Sequence, residues 1–361
     1  MNRARGFSMV ELMVAITLAL VVTTGVVSVF IGSRSAYQAT SGTAELTDGG
    51  RFALNFISNS VRSAGYLACS TSTHVVSTLN VGATPLPYSF NQALGGYEAN
   101  NTGPVGAAYA VAVPPVVGTV GNWNAAATTP NLDGALAGLP VKNNDVLVVR
   151  STLANAQTVY VASIPAVDQI QVNAPGSLQN GQLAVISDCG FSVMVFQITG
   201  LAGTVISHDP AGSPGNSVAS FAPLSFTAGA QVTPVNTVVY YIGAGADGDG
   251  ALFSYDLNAG LNGGFAANEL VPDIEAMQIL YGLDGTNTQT VNQYVTADQV
   301  QDFNTVMSVK VAVLAASAPG SAHTGPAALT YNLLGTTVTA PVDTRARQVF
   351  EETIAVRNAL P

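Results

Sequence analysis

The sequence predicts an α+β fold, in which one long N-terminal helix packs on an antiparallel β-sheet and a large loop-rich insertion separates the two. Three observations predict it. An apolar run extends to Ser33 and carries one charge after position 6, Glu11. An amphipathic segment without proline continues it to Tyr66. From Lys142 onward, runs rich in Val, Ile, Tyr and Phe alternate with turn residues, as in a sheet that covers the helix.

The apolar run is long enough to cross a bilayer, since a spanning helix needs about 20 apolar residues. Arg3 and Arg5 precede it and should stay cytoplasmic, which sends the chain after Ser33 outward. A secretory signal is cut after its apolar region, at small residues. Here the cut is expected before that region, between Gly6 and Phe7, so that the apolar segment stays on the mature protein.

The string Gly6-Phe7-Ser8-Met9-Val10-Glu11 resembles the class III signal of type IV pilins and type II secretion pseudopilins. The resemblance implies that prepilin peptidase removes residues 1–6 and methylates the new amino terminus on Phe7. It also implies that Glu11, an acid in an apolar segment, pairs with the Phe7 ammonium of a neighbouring subunit. The alternative is an ordinary single-pass anchor whose Glu11 reaches the membrane interface.

Two cysteines, Cys69 and Cys189, have a spacing that fits neither a zinc site nor a CxxC redox motif. On the oxidising side of the membrane they would most simply form a disulfide. A bridge that closes a loop of about 120 residues could stabilise the fold by about 4–5 kcal/mol in the chain-entropy model. The alternative is two free, buried cysteines.

The composition is poor in charge. Charged residues make up 9% of the chain and the net charge is −10, whereas soluble domains carry about a quarter of charged residues. Binding to nucleic acid depends on Lys and Arg that neutralise phosphates. No direct binding of nucleic acid by the folded body is therefore expected.

Residues 34–66 are predicted to form the amphipathic half of the helix, above a membrane-spanning half at 7–33. Apolar residues recur there at three-, four- and seven-residue spacings. The main stripe comprises Leu46, Ala53, Ile57, Val61 and Ala64, with Phe52 and Phe56 on an adjoining stripe. Glycines weaken a helix interior, so the expected weak points are Gly25, Gly32, Gly42, Gly49 and Gly50.

Residues 67–140 read as a loop-rich variable insertion, with a short strand expected around Tyr109–Val113, and residues 141–361 as a β-sheet-rich periplasmic domain. The insertion holds only two charges, Glu98 and Asp133. The predicted strands are Val146–Arg150, Thr158–Ser163, Leu183–Ser187, Ser192–Thr199, Thr237–Gly243, Ala251–Leu257, Ile274–Gly282, Thr305–Ala315 and Thr344–Val356.

Several segments are similar to PilW-type minor pilins of the type IV pilus. The longest is the closing segment, Arg345-Ala346-Arg347-Gln348-Val349-Phe350-Glu351-Glu352-Thr353-Ile354-Ala355-Val356-Arg357-Asn358. The others are residues 65–69, 87–98, 187–189, 249–253 and 269–275.

That resemblance implies a pilin-like fold and a structural subunit without enzymatic activity or cofactor. Such a subunit takes part in priming pilus assembly, is incorporated at or near the tip, and supports motility, adhesion or DNA uptake. The implied partners are other minor pilins, the major pilin, prepilin peptidase, the inner-membrane assembly platform and a tip adhesin. The alternative is the large minor pseudopilin of a type II secretion system; a membrane-tethered periplasmic binding module or enzyme is a more remote one.

Two short motifs need an interpretation of their own. In Asp247-Gly248-Asp249-Gly250, Asp247 and Asp249 are weak candidates for calcium ligands, but Asp-Gly between two hydrophobic runs is more simply a hairpin turn. The adjacent Ser207-His208-Asp209 cannot act as a catalytic triad, because triad members converge from different elements.

Overall fold

A computed structural model describes residues 8–69, 75–80, 88–100, 102–103, 106–125, 132, 134–153, 155–190, 192–212, 214–218, 220–222, 224–256, 266–285, 290–322, 325 and 327–359. The helices are α1 (Met9–Ser63) and the short α2 (Gly134–Ala137). The strands up to residue 207 are β1 (Val76–Ser77), β2 (Leu94–Ala99), β3 (Ala108–Ala110), β4 (Trp123–Asn124), β5 (Val146–Thr152), β6 (Val159–Ala166), β7 (Gln169–Val172), β8 (Leu183–Ser187), β9 (Val193–Gln197), β10 (Gly200–Ala202) and β11 (Val205–Ser207). The later strands are β12 (Gln231–Ala244), β13 (Gly250–Asp256), β14 (Ala266–Pro272), β15 (Ile274–Leu283), β16 (Gln293–Val295), β17 (Val306–Ala316), β18 (Thr330–Leu333), β19 (Thr336–Thr339) and β20 (Arg347–Ala355).

Long strand β12 organises the largest of three sheets. Its first half pairs with β6 and β8, and its second half pairs with β5 and β13. Among the described residues, thirteen strands join this sheet. The second sheet has the order β16-β15-β17-β20 and the third β18-β19-β3. Nearly all pairings are antiparallel, the exceptions being β1 with β9 and β3 with β19. The α+β fold predicted from the sequence is confirmed.

The upper half of α1 packs on the β16-β15-β17-β20 sheet, as the apolar stripe predicts. Leu46, Ala53, Ile57 and Val61 are at most 3% exposed and share one core with residues of β15, β17 and β20. A helix of this length spans about 80 Å at 1.5 Å per residue. The adjoining pair Phe52 and Phe56 stays exposed to solvent.

Two of the glycines expected to weaken the helix instead allow close packing on it. Gly42 and Gly50 are buried in the face that meets the sheet. A Cβ at Gly50 would overlap the ring of Phe350 on β20, and a Cβ at Gly42 would overlap the side chain of Ser321. Glycine lowers the helix propensity at these positions. Because it has no side chain, the neighbouring segments can approach the helix backbone closely.

In the described part of the insertion, β2 lies inside the main sheet beside β5, which the composition of this stretch did not predict. All of its side chains are buried. Its Gly95-Gly96 pair hides the alternating pattern that identifies a strand. A Cβ at Gly96 would overlap the hydroxyl of Tyr281, so the small residue is needed there. The predicted strand around Tyr109–Val113 is present as β3, slightly earlier in the chain.

Cys69 and Cys189 form a disulfide, with Cα atoms 4.8 Å apart and a sequence separation of 120. Cys69 lies just beyond the end of α1, and Cys189 lies in the turn between β8 and β9. The bridge therefore ties the end of the long helix to the main sheet, and the predicted pairing is confirmed.

Removing this bridge should destabilise the fold. The Cys69→Ser/Cys189→Ser double variant should unfold with a free energy lower by about 2–5 kcal/mol, because the closed loop is long. Urea unfolding of the full chain in detergent measures this. An unchanged midpoint, or two reactive thiols in wild-type protein purified without reductant, would contradict it.

Candidate functional site

The first candidate site is the start of α1, where the carboxylate of Glu11 turns back toward the helix N-terminus. The Ser8 backbone N–H donates to Glu11 Oε2 at 3.4 Å, so Glu11 occupies the third helical position of a capping box. An acid in the first turn also complements the helix dipole. Gly6 and Phe7 lie outside the described residues, so the predicted cleavage and the ion pair stay predictions.

The segment that follows Glu11 has nothing of its own fold to pack against. Of the described part of the chain, one helix, Met9–Ser63, is long and apolar enough to cross a membrane, and none of its most apolar window is buried. Leu18 and Val22 illustrate this, since each exposes at least 60% of its surface. A helix that is apolar all round needs lipid or other helices around it.

The predicted hairpin turn at residues 247–250 is confirmed. It connects β12 to β13, with Gly248 in the left-handed region at φ 82° and a hydrogen bond from Gly245 N to Asp249 O. Asp249 also accepts from Arg345 Nη2 at 2.5 Å, and Asp273 accepts from Arg345 Nη1 at 2.8 Å. The guanidinium of Arg345 thus bridges these two carboxylates.

Within the described ranges, no three His, Cys, Asp or Glu side chains are grouped to hold a metal ion. Calcium binding by Asp247 and Asp249 was the less favoured interpretation of this motif, and nothing in the structure tests it.

Arg347 forms the most buried ion pairs of the C-terminal strand. Its guanidinium donates to both carboxylate oxygens of Glu275, at 2.6 and 2.8 Å, and to both oxygens of Asp343, at 2.8 and 2.6 Å. The side chains of Arg347 and Glu275 are only 3% and 5% exposed. These bonds raise the pKa of Arg347 despite its burial and fix β20 to the start of β15.

Sequence reasoning missed a buried pair of acids, Glu98 and Asp145, where β2 meets the loop before β5. Burial is the main cause that raises the pKa of Glu98 to about 7. A hydrogen bond donated by Thr102 Oγ1 at 2.8 Å acts in the opposite direction and lowers the pKa. Burial and the charge of Glu98 raise the pKa of Asp145 well above its usual range. Asp145 accepts from the backbone N–H groups of Ala99 and Ile279, at 3.0 and 2.7 Å. Glu98 was nevertheless visible as an isolated charge in a charge-poor stretch.

This pair predicts that the fold loses stability as the pH rises. The folded-state pKa of Glu98 lies above its unfolded value of about 4.5, so folding favours the protonated carboxyl. The stability that this carboxyl contributes is fully present below pH 4.5 and is lost as the pH rises through about 7. Glu98→Gln keeps a hydrogen-bonding group and removes the titration. The variant should gain stability relative to wild type, on the order of 2–3 kcal/mol, between pH 5 and pH 8. Urea unfolding at both pH values checks this, and parallel pH curves for the two proteins would contradict it.

His208 is a core residue. Its imidazole is fully buried and stacks on Phe221 with ring centroids 4.1 Å apart, while Phe196 approaches edge-on. Burial lowers its pKa to about 4. Neither ring nitrogen has a hydrogen-bond partner among the described residues, which agrees with the sequence argument against a Ser-His-Asp triad. His74 and His323 lie outside the described residues.

Two family models match this chain, one at each end. Residues 1–27 match the prokaryotic N-terminal methylation motif, and residues 239–358 match the type IV pilus-assembly protein W family, PilW. No curated protein and no solved structure matches the chain. The PilW match runs from the second half of β12 to Asn358, and so includes the ion pairs of Arg345 and Arg347.

A methylation motif on an apolar helix, followed by a sheet that covers the upper helix, supports a pilin related to the type IV pilus. The predicted resemblance to PilW-type minor pilins is confirmed by the two matches. The motif and the helix fit a pilin anchored in the inner membrane, and membership of this class implies pilin partners and a prepilin peptidase.

Proposed function

We propose that this chain is a minor pilin that takes part in priming type IV pilus assembly and is incorporated at or near the pilus tip. The observation that carries the proposal is an apolar half-helix without internal packing, joined rigidly to a large folded body. In the membrane the half-helix serves as an anchor. In a filament core the same surface packs against the helices of neighbouring subunits.

The proposed role is structural, without catalysis. The carboxylates of Asp249, Asp273 and Glu275 form ion pairs with Arg345 and Arg347, and His208 packs against aromatic rings. These groups hold the fold and present no reactive arrangement to solvent. Assembly with other minor pilins, the major pilin and the platform then follows from the helix, and contact with a tip adhesin from the exposed body.

Deletion of the gene tests the proposal. A deletion strain should carry far fewer surface pili by electron microscopy and should show reduced pilus-dependent motility, and the wild-type gene should restore both. Normal pilus numbers in the deletion strain would contradict a role in priming. A defect in protein secretion with normal pili would instead favour the pseudopilin alternative.

Processing at Gly6 gives a second prediction. Any side chain at the position before the cut must fit where the peptidase closes on the backbone, so Gly6→Val should leave an unprocessed precursor in the membrane that fails to restore piliation. Gel mobility, compared with a Ser8→Ala control, measures the cut. Mature-sized protein from the Gly6→Val strain would contradict the assignment of the cleavage site.

A further inference from the structure

The segment from β3 to residue 120 carries several exposed apolar residues. Val113, Val116, Val117 and Val120 are between 42% and 63% exposed. Folded proteins seldom leave neighbouring apolar residues uncovered unless the surface meets a partner. This group is continuous along the chain, which distinguishes it from singly scattered surface residues.

Strand β3 has an open edge beside this surface. It pairs with β19 on one side, where Val111 N–H donates to Thr339 O at 2.9 Å and Thr337 N–H to Ala107 O at 2.8 Å. On its other side no strand of the described residues pairs with it. The backbone groups on an open edge can take up an extended peptide as an added strand.

A cavity of about 250 Å³ is lined by residues 109–112 of this segment. No residue of β19 lines it. The opposite wall, residues 141–144, is fixed by its own bonds. Asn144 Oδ1 accepts from Met277 N–H at 2.8 Å, and Gln278 Nε2 donates to Asn143 O at 2.9 Å. The cavity is therefore a built groove with a rigid wall.

The groove contains one uncompensated positive charge. Lys142 lines it and forms no ion pair with a carboxylate of the described residues. Glu275, the acid that lines the same groove, accepts two hydrogen bonds from Arg347, which also pairs with Asp343. An occupant with a carboxylate opposite Lys142 therefore meets a complementary charge in a chain whose net charge is −10.

We propose that this groove binds an extended segment of a partner protein, which adds a strand to β3, places an apolar side chain in the cavity and directs a carboxylate at Lys142. The open edge specifies an extended backbone, the valines and the cavity specify apolar side chains, and the lysine specifies the acid. The inference rests on the proposed function in one respect only: the chain meets the partner in the assembled pilus.

The full chain in phospholipid nanodiscs can be titrated with a labelled heptapeptide of alternating threonine and valine that ends in aspartate. Saturable binding is expected, with slower amide exchange at residues 108–112. Lys142→Glu should weaken binding about tenfold, since it opposes two like charges, and Ala112→Trp should abolish binding by filling the cavity. Arg51→Glu, the same charge change on the exposed face of α1, should bind as wild type does. A peptide ending in lysine should bind less tightly than the acidic one.

No saturable binding at millimolar peptide, equal binding of the two peptides, or loss in only one of the two groove variants would overturn the proposal. Immunodetection of the chain in sheared pili separates this outcome from failure of the proposed function. A wild-type chain that enters pili but binds no peptide rejects the groove alone.

Discussion

Glu11→Ala should leave the chain processed and inserted in the membrane but largely absent from pili. Loss of an acid makes the apolar helix partition into the bilayer more readily, and the cut before Phe7 depends on Gly6. In the assembly, the ammonium of a neighbour's Phe7 would lose its partner. Removing one member of a buried ion pair costs about 3–5 kcal/mol. Gel mobility, membrane fractionation and co-purification with other minor pilins measure the three steps in one strain.

The capping geometry at Ser8 gives this experiment a matched control. Glu11 accepts a hydrogen bond from the Ser8 N–H, so alanine removes both a charge and a cap. Glutamine at N3 can still complete a capping box but carries no charge. If the ion pair recruits the subunit, Glu11→Gln should fail in co-purification as Glu11→Ala does. Wild-type co-purification of the glutamine variant would assign the role to the cap, and wild-type co-purification of both would reject a role for Glu11 in recruitment.

Arg347→Ala should lower the free energy of unfolding by about 3–5 kcal/mol, because it leaves the nearly buried carboxylate of Glu275 without a counter-charge. Asp343 loses its partner as well, although it is more exposed. Since β20 carries Phe350 and Ile354 to the helix, the sheet should also loosen against α1. Urea unfolding of the full chain in detergent measures the loss.

Two controls separate burial from charge in this result. Arg62 pairs with Glu352 at 3.0 Å, with side chains 45% and 30% exposed, and an exposed pair contributes about 0–1 kcal/mol. Arg62→Ala should therefore cost much less than Arg347→Ala. Arg347→Met combined with Glu275→Met removes both charges and should recover most of the loss. Equal effects of Arg62→Ala and Arg347→Ala would contradict the explanation by burial.

The helix and most long strands could be predicted from the sequence because their signal is local. The stripe of Leu46, Ala53, Ile57 and Val61 repeats with the period of a helix. Strand β8 has the bounds that its apolar run predicted. Strands β14, β18 and β19 were missed, since they are short or half exposed and carry mixed polar residues. Of the three, only β19 also pairs with a distant segment, β3, whereas β14 and β18 pair with the strands next to them in the chain.

The features that sequence reasoning could not supply depend on contacts far apart in the chain. Gly50 reads as a weak point of a helix until Phe350 is placed against it. Glu98 and Asp145 are 47 positions apart in the sequence, and only the pairing of β2 with β5 brings them together. By contrast, Arg345 and Arg347 stand two residues apart in the predicted strand Thr344–Val356, which placed them on one face of it, although their acidic partners could not be predicted.

The most direct measurement is immunodetection of this chain in pili sheared from the cell surface, with an inner-membrane protein as the control for contamination. Assembly of the chain as a minor pilin predicts the mature protein in the pilus fraction, in small amounts relative to the major pilin, and its absence there in a Gly6→Val strain. Confinement of the mature wild-type protein to the membrane fraction, with normal pili on the cells, would contradict that assignment.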